Sequence, residues 1–235
     1  MKQLEGNVAL ITGASRGIGA QVAKRFALEG AQVILLARNT EGLEAIDDEI
    51  RAGGGAATLV PIDLTDGKSI ELLAQQVAAR FGKLDVLVGN AAVLGEISPM
   101  GHSEPADWEK TFAVNLTANW QLIRCFDPLM KAAQNPRAMF VTSGVTNRAA
   151  SYWGAYAVSK TALEMMVRIY AAENEQTSLR VNLIDPGVVR TRMRAQAFPG
   201  EDPLQHPEAS TITDVFVKLA LPGLQETGQK FHAQK

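Results

Sequence analysis

The chain has 235 residues, 46% hydrophobic and 20% charged, with a net charge of -2. That is enough apolar material for one α/β domain, expected to span 1–235. The charges are mixed along the chain without a basic stripe, which argues against nucleic acid and anionic membrane as partners. A lone cysteine, Cys125, excludes an internal disulfide. "MKQLEG" runs straight into an apolar strand without a signal-peptide-like stretch, and no apolar run approaches the ~20 residues that cross a bilayer. A soluble cytoplasmic protein is the expectation.

In chain order, strands are predicted at "NVALIT" (7–12), "AQVILLA" (31–37), "AATLVPID" (56–63), "LDVLVGN" (84–90), "RAMFVTS" (137–143), "LRVNLID" (179–185) and, more weakly, "QKFHA" (229–233). The first six are apolar on both parities, as strands buried on both faces of a parallel sheet must be. Helical periodicity fills 16–29, 41–52, 68–81, 108–134 and 155–175, with a kink expected at Asp127-Pro128. The stretch 193–210, with three prolines and no apolar period, reads as a surface loop that borders the substrate. Strand–helix–strand repetition predicts a Rossmann-type, doubly wound parallel sheet of about seven strands with helices on both faces.

"TGASRGIG" (12–19) lies between the first strand and the first helix. Glycines at 13, 17 and 19 let backbone N–H groups approach a diphosphate at a helix N-terminus, where the dipole favours negative charge. The spacing Gly13-x3-Gly17-x-Gly19 departs from G-x-G-x-x-G, and a tight turn alone would also use these residues. About twenty residues on, "LLARNT" has Arg38 and no acid before Glu41. An acid there would bind ribose hydroxyls, whereas a guanidinium accommodates a 2′-phosphate. Arg16 would approach the same phosphate from the glycine turn. NADP(H) is therefore favoured over NAD(H), with two solvated arginines as the bland alternative.

"YAVSK" puts Tyr156 and Lys160 four apart on one helix face. An ammonium ~4 Å from the phenol at an effective dielectric of ~20 would favour phenolate by roughly 4 kcal/mol, bringing Tyr156 from about 10 to near 7. Ser143 closes the strand "AMFVTS", where a hydroxyl can meet a carbonyl in the cleft.

These motifs together resemble the short-chain dehydrogenase/reductase family, from about Asn7 to Thr191. "TGASRGIG" is similar to its TGxxxGxG turn, "GNAA" (89–92) to NNAG, and "DPGVVRT" (185–191) to its PG-x-x-x-T run; Asn115 in "NLTAN", Ser143, Tyr156 and Lys160 match its tetrad in order. The resemblance implies that Tyr156 exchanges a proton with the carbonyl oxygen while Ser143 holds it. It implies that Lys160 lowers the Tyr156 pKa and bonds the nicotinamide ribose, and that Asn115 braces a water-mediated proton path. Gly13, Ser15, Arg16, Gly17, Ile18 and Gly19 would hold the diphosphate end, with Arg38 beside them. Asp63 and Leu64 would meet the adenine, Asn90 and Ala91 would back the ribose, and Pro186, Gly187, Val189 and Thr191 would line the nicotinamide. Gly89, Ala92 and Asp185 depart from the common pattern, and the end "ETGQKFHAQK" lacks a glycine-rich run, so a homodimer is as plausible as a homotetramer.

His102, His206 and His232 share no metal-ligand spacing with one another or with Cys125, so no metal is expected and the histidines read as surface residues. Trp153 reads as core, interface or substrate mouth. The implied activity is hydride transfer between NADP(H) and a small carbonyl or alcohol, with segments 94–104, 145–153 and 193–210 setting specificity. An NAD(H) enzyme of the same family is the near rival; a nucleotide-sensing protein without catalysis is the rival of another class.

Overall fold

A computed structural model describes residues 2–234. The strands are β1 (Val8–Thr12), β2 (Gln32–Ala37), β3 (Ala57–Pro61), β4 (Val86–Gly89), β5 (Arg137–Val141), β6 (Arg180–Asp185) and β7 (Lys230–His232). They form one parallel sheet in the order β3-β2-β1-β4-β5-β6-β7. All seven predicted strands are present. The helices are α1 (Gly17–Leu28), α2 (Thr40–Ala52), α3 (Gly67–Phe81), α4 (Pro105–Phe112), α5 (Ala118–Lys131), α6 (Gly154–Glu173), α7 (Arg192–Ala197) and α8 (Thr213–Ala220).

Alternate strand residues feed two apolar layers. Ala9 and Ile11 of β1 pack with α1, α2 and α8, whereas Val8 and Leu10 pack with α3, α5 and α6. Burial on both sides explains why these strands are apolar on both parities. At the edge opposite the strands' carboxyl ends, the buried Arg137 guanidinium donates to the carbonyls of Pro136, Ser178, Leu221, Pro222 and Leu224. Burial lowers its pKa to about 10, and five carbonyls stand in for the missing counter-ion.

Three elements differ from expectation. The helix expected over 108–134 runs from Pro105 to Lys131 but passes through a π-helical turn, Ala113–Thr117, with Pro128 inside α5. The 193–210 stretch is not all loop, because Thr191 Oγ1 accepts from Arg194 N at 3.2 Å and caps α7. Helix α8 had no sequence assignment; it is only eight residues long, and Val215, Phe216, Val217, Leu219 and Ala220 are too nearly continuous to show a 3.6-residue period. Among the described residues, no helix is long and apolar enough to cross a membrane.

The order of strands reverses between β1 and β4, which pair directly. Ligands of doubly wound sheets bind beyond the strand carboxyl ends at such a point. A cleft of about 1380 Å³ opens there.

Candidate active site

At the β1 end of the cleft, the backbone is drawn tight. Gly13 has φ +67°, and a Cβ on it would lie 2.9 Å from Asn90 Nδ2 and 3.0 Å from Ala91 Cα. A Cβ on Gly19 would lie 2.5 Å from both Asn90 Nδ2 and Gly13 O. Thr12 fixes this approach: Asn90 N and Ala91 N donate to its Oγ1 at 2.9 and 3.0 Å, and Asn90 Nδ2 donates to its carbonyl at 2.8 Å. Sequence reasoning passed over Thr12, whose only local signal is its place at the strand end. Arg16 precedes α1 without a side-chain cap, so the first-turn N–H groups have no side-chain acceptor where Ser15, Arg16, Gly17 and Ile18 line the cleft. Uncapped donors beside a glycine cradle fit the diphosphate of a dinucleotide. Gly19 does not line the cleft; its part is the close packing of α1 against the β4 end.

Arg38 follows β2 and has an acidic neighbour. Its Nη1 lies 3.5 Å from Asp63 Oδ2, with both side chains substantially exposed, at 60% and 43%. Asp63 also accepts from Thr65 N at 2.9 Å and Thr65 Oγ1 at 2.8 Å. The Thr65 N–H, helped by the Thr65 hydroxyl and Arg38, holds its carboxyl below the usual range against a partial burial penalty. An exposed pair of this kind contributes only about 0–1 kcal/mol, so a phosphate can displace it. Leu64 lies beside them, buried.

The other end of the cleft is built from buried side chains. Ser143 follows β5, and its Oγ accepts from Val145 N at 3.3 Å, which orders the turn Gly144–Asn147. Tyr156 and Lys160 lie in the first two turns of α6, both buried. Lys160 Nζ sits 6.0 Å from the Tyr156 ring centroid and donates to Val141 O at 2.8 Å. The expected fall of the Tyr156 pKa to near 7 does not occur. Burial pushes the phenol up to about 12, against a hydrogen bond from Ser143, with Asp185 adding to the rise. Burial likewise lowers Lys160 to about 8, opposed by Glu164. Desolvation outweighs the neighbouring charge because the ammonium is directed at a carbonyl rather than at the phenol oxygen.

Asn115 sits in the π-helical turn, fully buried, and does not line the cleft. Its Nδ2 donates to Val93 O at 2.9 Å and Ser159 Oγ at 3.1 Å, and its Oδ1 accepts from Val93 N at 2.8 Å. The side chain therefore ties the segment after β4 to α6 rather than facing the reacting groups. Gly89, one of the departures from the common pattern, has no room for a side chain: a Cβ would meet Phe140 Cδ1 at 2.4 Å and Asn119 Oδ1 at 2.5 Å.

Asn90, Ala91, Asp63 and Leu64, and likewise Pro186, Gly187, Val189 and Thr191, line the same cleft as Tyr156. All three expected specificity segments contribute walls. Trp153 lies there, its ring centroid 5.9 Å from that of Tyr156 and 5.9 Å from that of Phe198. Phe198 is in turn covered by the Arg194 guanidinium at 3.8 Å, and Arg194 pairs with Glu201. An aromatic wall thus runs outward from the phenol. Of the histidines, His102 and His232 are exposed and His206 is half-buried against Glu201 at 3.0 Å, while His232 lies 3.5 Å from Asp185 at the rim of the cleft.

A doubly wound sheet with a glycine cradle at its switch point and a Ser–Tyr–Lys cluster beyond β5 defines a nucleotide-linked oxidoreductase class. The chain belongs to the short chain dehydrogenase family, whose model matches residues 7–202. The Escherichia coli oxidoreductase YciK is 36% identical, over 98% of this chain and 93% of its own. A D-threitol dehydrogenase from Mycolicibacterium smegmatis is 33% identical over 84% of this chain and 76% of its own. Among solved structures, a short chain dehydrogenase from Shigella flexneri complexed with NADP superposes with a TM-score of 0.96 at 35% identity, covering 100% of this chain and 99% of that one. One from Escherichia coli CFT073 complexed with NADPH does so with 0.95 at 36% identity, over 100% and 99%. The chain is thus an oxidoreductase of the type that uses nicotinamide cofactors and acts on alcohol or carbonyl groups.

Proposed function

We propose that the protein uses NADP(H) and reduces the carbonyl of a small molecule, with Tyr156 as the proton donor. What supports this is one cleft that joins the uncapped α1 N-terminus to Ser143, Tyr156 and Lys160. When bound, the cofactor supplies the hydride. Gly13, Ser15, Gly17 and Ile18 would hold its diphosphate by backbone donors, and Arg16 and Arg38 its 2′-phosphate. Asp63, Leu64, Asn90 and Ala91 would hold the adenosine end, and Pro186, Gly187, Val189 and Thr191 the nicotinamide end.

The chain's own part is proton transfer and orientation. Ser143 donates to the substrate oxygen and stabilises the charge that develops on it. Tyr156 passes its proton to that oxygen. Lys160, protonated at neutrality with a pKa of about 8, offsets the charge left on the phenolate. Asn115 holds the segment that carries Val93 against α6 and so keeps the cleft open beside Tyr156. Trp153 and Phe198 supply an apolar face for the body of the substrate. The apolar residues exposed along α6, Val158, Met165 and Ile169, support a homodimer or homotetramer, which light scattering would read as a mass of two or four chains.

The test is a panel of ketones, aldehydes and quinones followed by NADPH absorbance, beside NADPH and NADH titrations of the protein. Turnover with at least one carbonyl and tighter binding of NADPH are expected. No turnover with any carbonyl would contradict the reductase assignment, and equal affinities would contradict the cofactor preference.

A further inference from the structure

Strand β7 presents two unlike faces. Phe231 packs against the layer of α1 and α8, so by the two-residue period of a strand Lys230 and His232 face the other way, and Gln234 follows two residues beyond the strand. Each of these three touches a different part of the site. Lys230 Nζ donates to Glu164 Oε1 at 2.7 Å, Thr146 Oγ1 at 3.0 Å and Asn147 Oδ1 at 2.9 Å. The same Glu164 oxygen accepts from the Thr142 and Thr146 hydroxyls at 2.7 Å each. Thr142 immediately precedes Ser143, and Thr146 and Asn147 close the turn that follows it. Glu164 lies one helical turn beyond Lys160 on α6, with Arg168 at 3.4 Å from its second oxygen. At the far end, Gln234 Nε2 donates to Pro186 O at 2.8 Å and Val188 O at 2.9 Å, bracketing Gly187 at φ +68°. His232, between them, faces Asp185.

We propose that β7 and the residues just after it position the site: Lys230 acts through Glu164 to set Ser143 against Tyr156, and Gln234, beyond the strand, sets the 186–189 turn that would hold the nicotinamide end. The proposal rests on the function proposed above for Ser143, Tyr156 and that turn. Stability alone does not call for such a pair, since burying a lysine and a carboxylate carries a desolvation cost that an apolar replacement would avoid. Burial pushes the Glu164 carboxyl up, yet bonds from Lys230, Thr142 and Thr146 keep it below its ordinary value. It therefore stays charged and grips both sides of Ser143. Because the Lys230 and Gln234 contacts are separate, the two residues act on separable steps.

Lys230→Met and Gln234→Ala in the full chain separate them. Lys230→Met is expected to lower kcat about 10-fold or more with NADPH Kd within about twofold, since small misplacements of a reacting group carry losses of that order. Lys230→Arg restores most of that kcat. Gln234→Ala is expected to raise NADPH Kd about 10-fold with a smaller change in kcat, the scale of two lost hydrogen bonds. Glu164→Gln, a shape-preserving variant that serves if Lys230→Met does not fold, shifts the alkaline limb of the kcat profile to lower pH, because Glu164 supports the Lys160 charge. Wild-type kcat in Lys230→Met, parallel losses of kcat and affinity in the Lys230→Met and Gln234→Ala variants, or an unmoved pH limb in Glu164→Gln would overturn the positioning role. A wild-type chain that neither binds NADPH nor turns over a carbonyl would instead overturn the proposed function, and this inference with it.

Discussion

The two ends of the cleft are made by different means. At the glycine-turn end the chain spends backbone: glycines on which a Cβ would come within 2.5–3.0 Å of its neighbours, uncapped N–H groups, and an exposed Arg38–Asp63 pair. At the end proposed for proton transfer it uses buried side chains, with Tyr156, Lys160 and Glu164 all withdrawn from water. Backbone geometry demands particular residue types at fixed local spacing. Buried charge depends on neighbours that are remote in sequence, such as Asp185, Val141 and Lys230. The first end is therefore rigid and electrostatically shallow, and the second is held by electrostatics that burial magnifies.

That contrast can be broken at either end. After Tyr156→Phe, the largest loss is expected from Ser143→Ala, which should lower kcat about 10²–10³-fold as the removal of an oxyanion donor does, with NADPH affinity little changed. Steady-state kinetics with NADPH titration checks this, and an equal loss in affinity would erase the division of labour. Gly13→Val places a branched side chain at φ +67° against the Ala91 backbone. Such overpacking and strain should destabilise by about 2–3 kcal/mol, seen as a Tm lowered by several degrees together with weakened nucleotide binding. Arg38→Asp should weaken NADPH about 10–100-fold, the scale of a lost charge-assisted hydrogen bond plus repulsion, and leave NADH nearly unaffected in parallel titrations.

The smallest effect tests burial at the proton-transfer end. Lys160 is lowered from 10.5 to about 8 in the folded chain, so between those values the unfolded state binds more protons and stability rises with pH. Tyr156 is raised from 10.0 to about 12, so above pH 10 its folded form holds a proton that the unfolded chain releases, and stability falls. Lys160→Met should therefore lack the rise that the wild type shows between pH 8 and 10, measured by urea unfolding across that range. A parallel pH dependence in the two proteins would mean the ammonium is not desolvated.

Legibility in the sequence follows the same division. All seven strands could be read because burial on both faces leaves continuous apolar runs, and the glycine turn because its constraint is local. Residues 143, 156 and 160 could be placed by order and spacing. Their electrostatics could not: the rise of Tyr156 comes from burial created by the whole fold, and the partner of Lys160 is a β5 carbonyl. The π-helical turn at 113–117 was invisible, and the Asn115 bonds to Val93 that accompany it lie across a tertiary contact. The Asp63 partner of Arg38 was not legible because the two meet only once β2 and β3 pair. Helix α7 did carry a signal, the Thr191 cap, overshadowed by three prolines that follow.

The central claim is that Tyr156 donates the proton from a cleft that binds NADPH independently of it. Tyr156→Phe measures this most directly: kcat for carbonyl reduction should fall about 10³-fold or more, in the range general acids supply, while NADPH Kd stays within about twofold. Turnover at the wild-type rate in that variant would contradict the account.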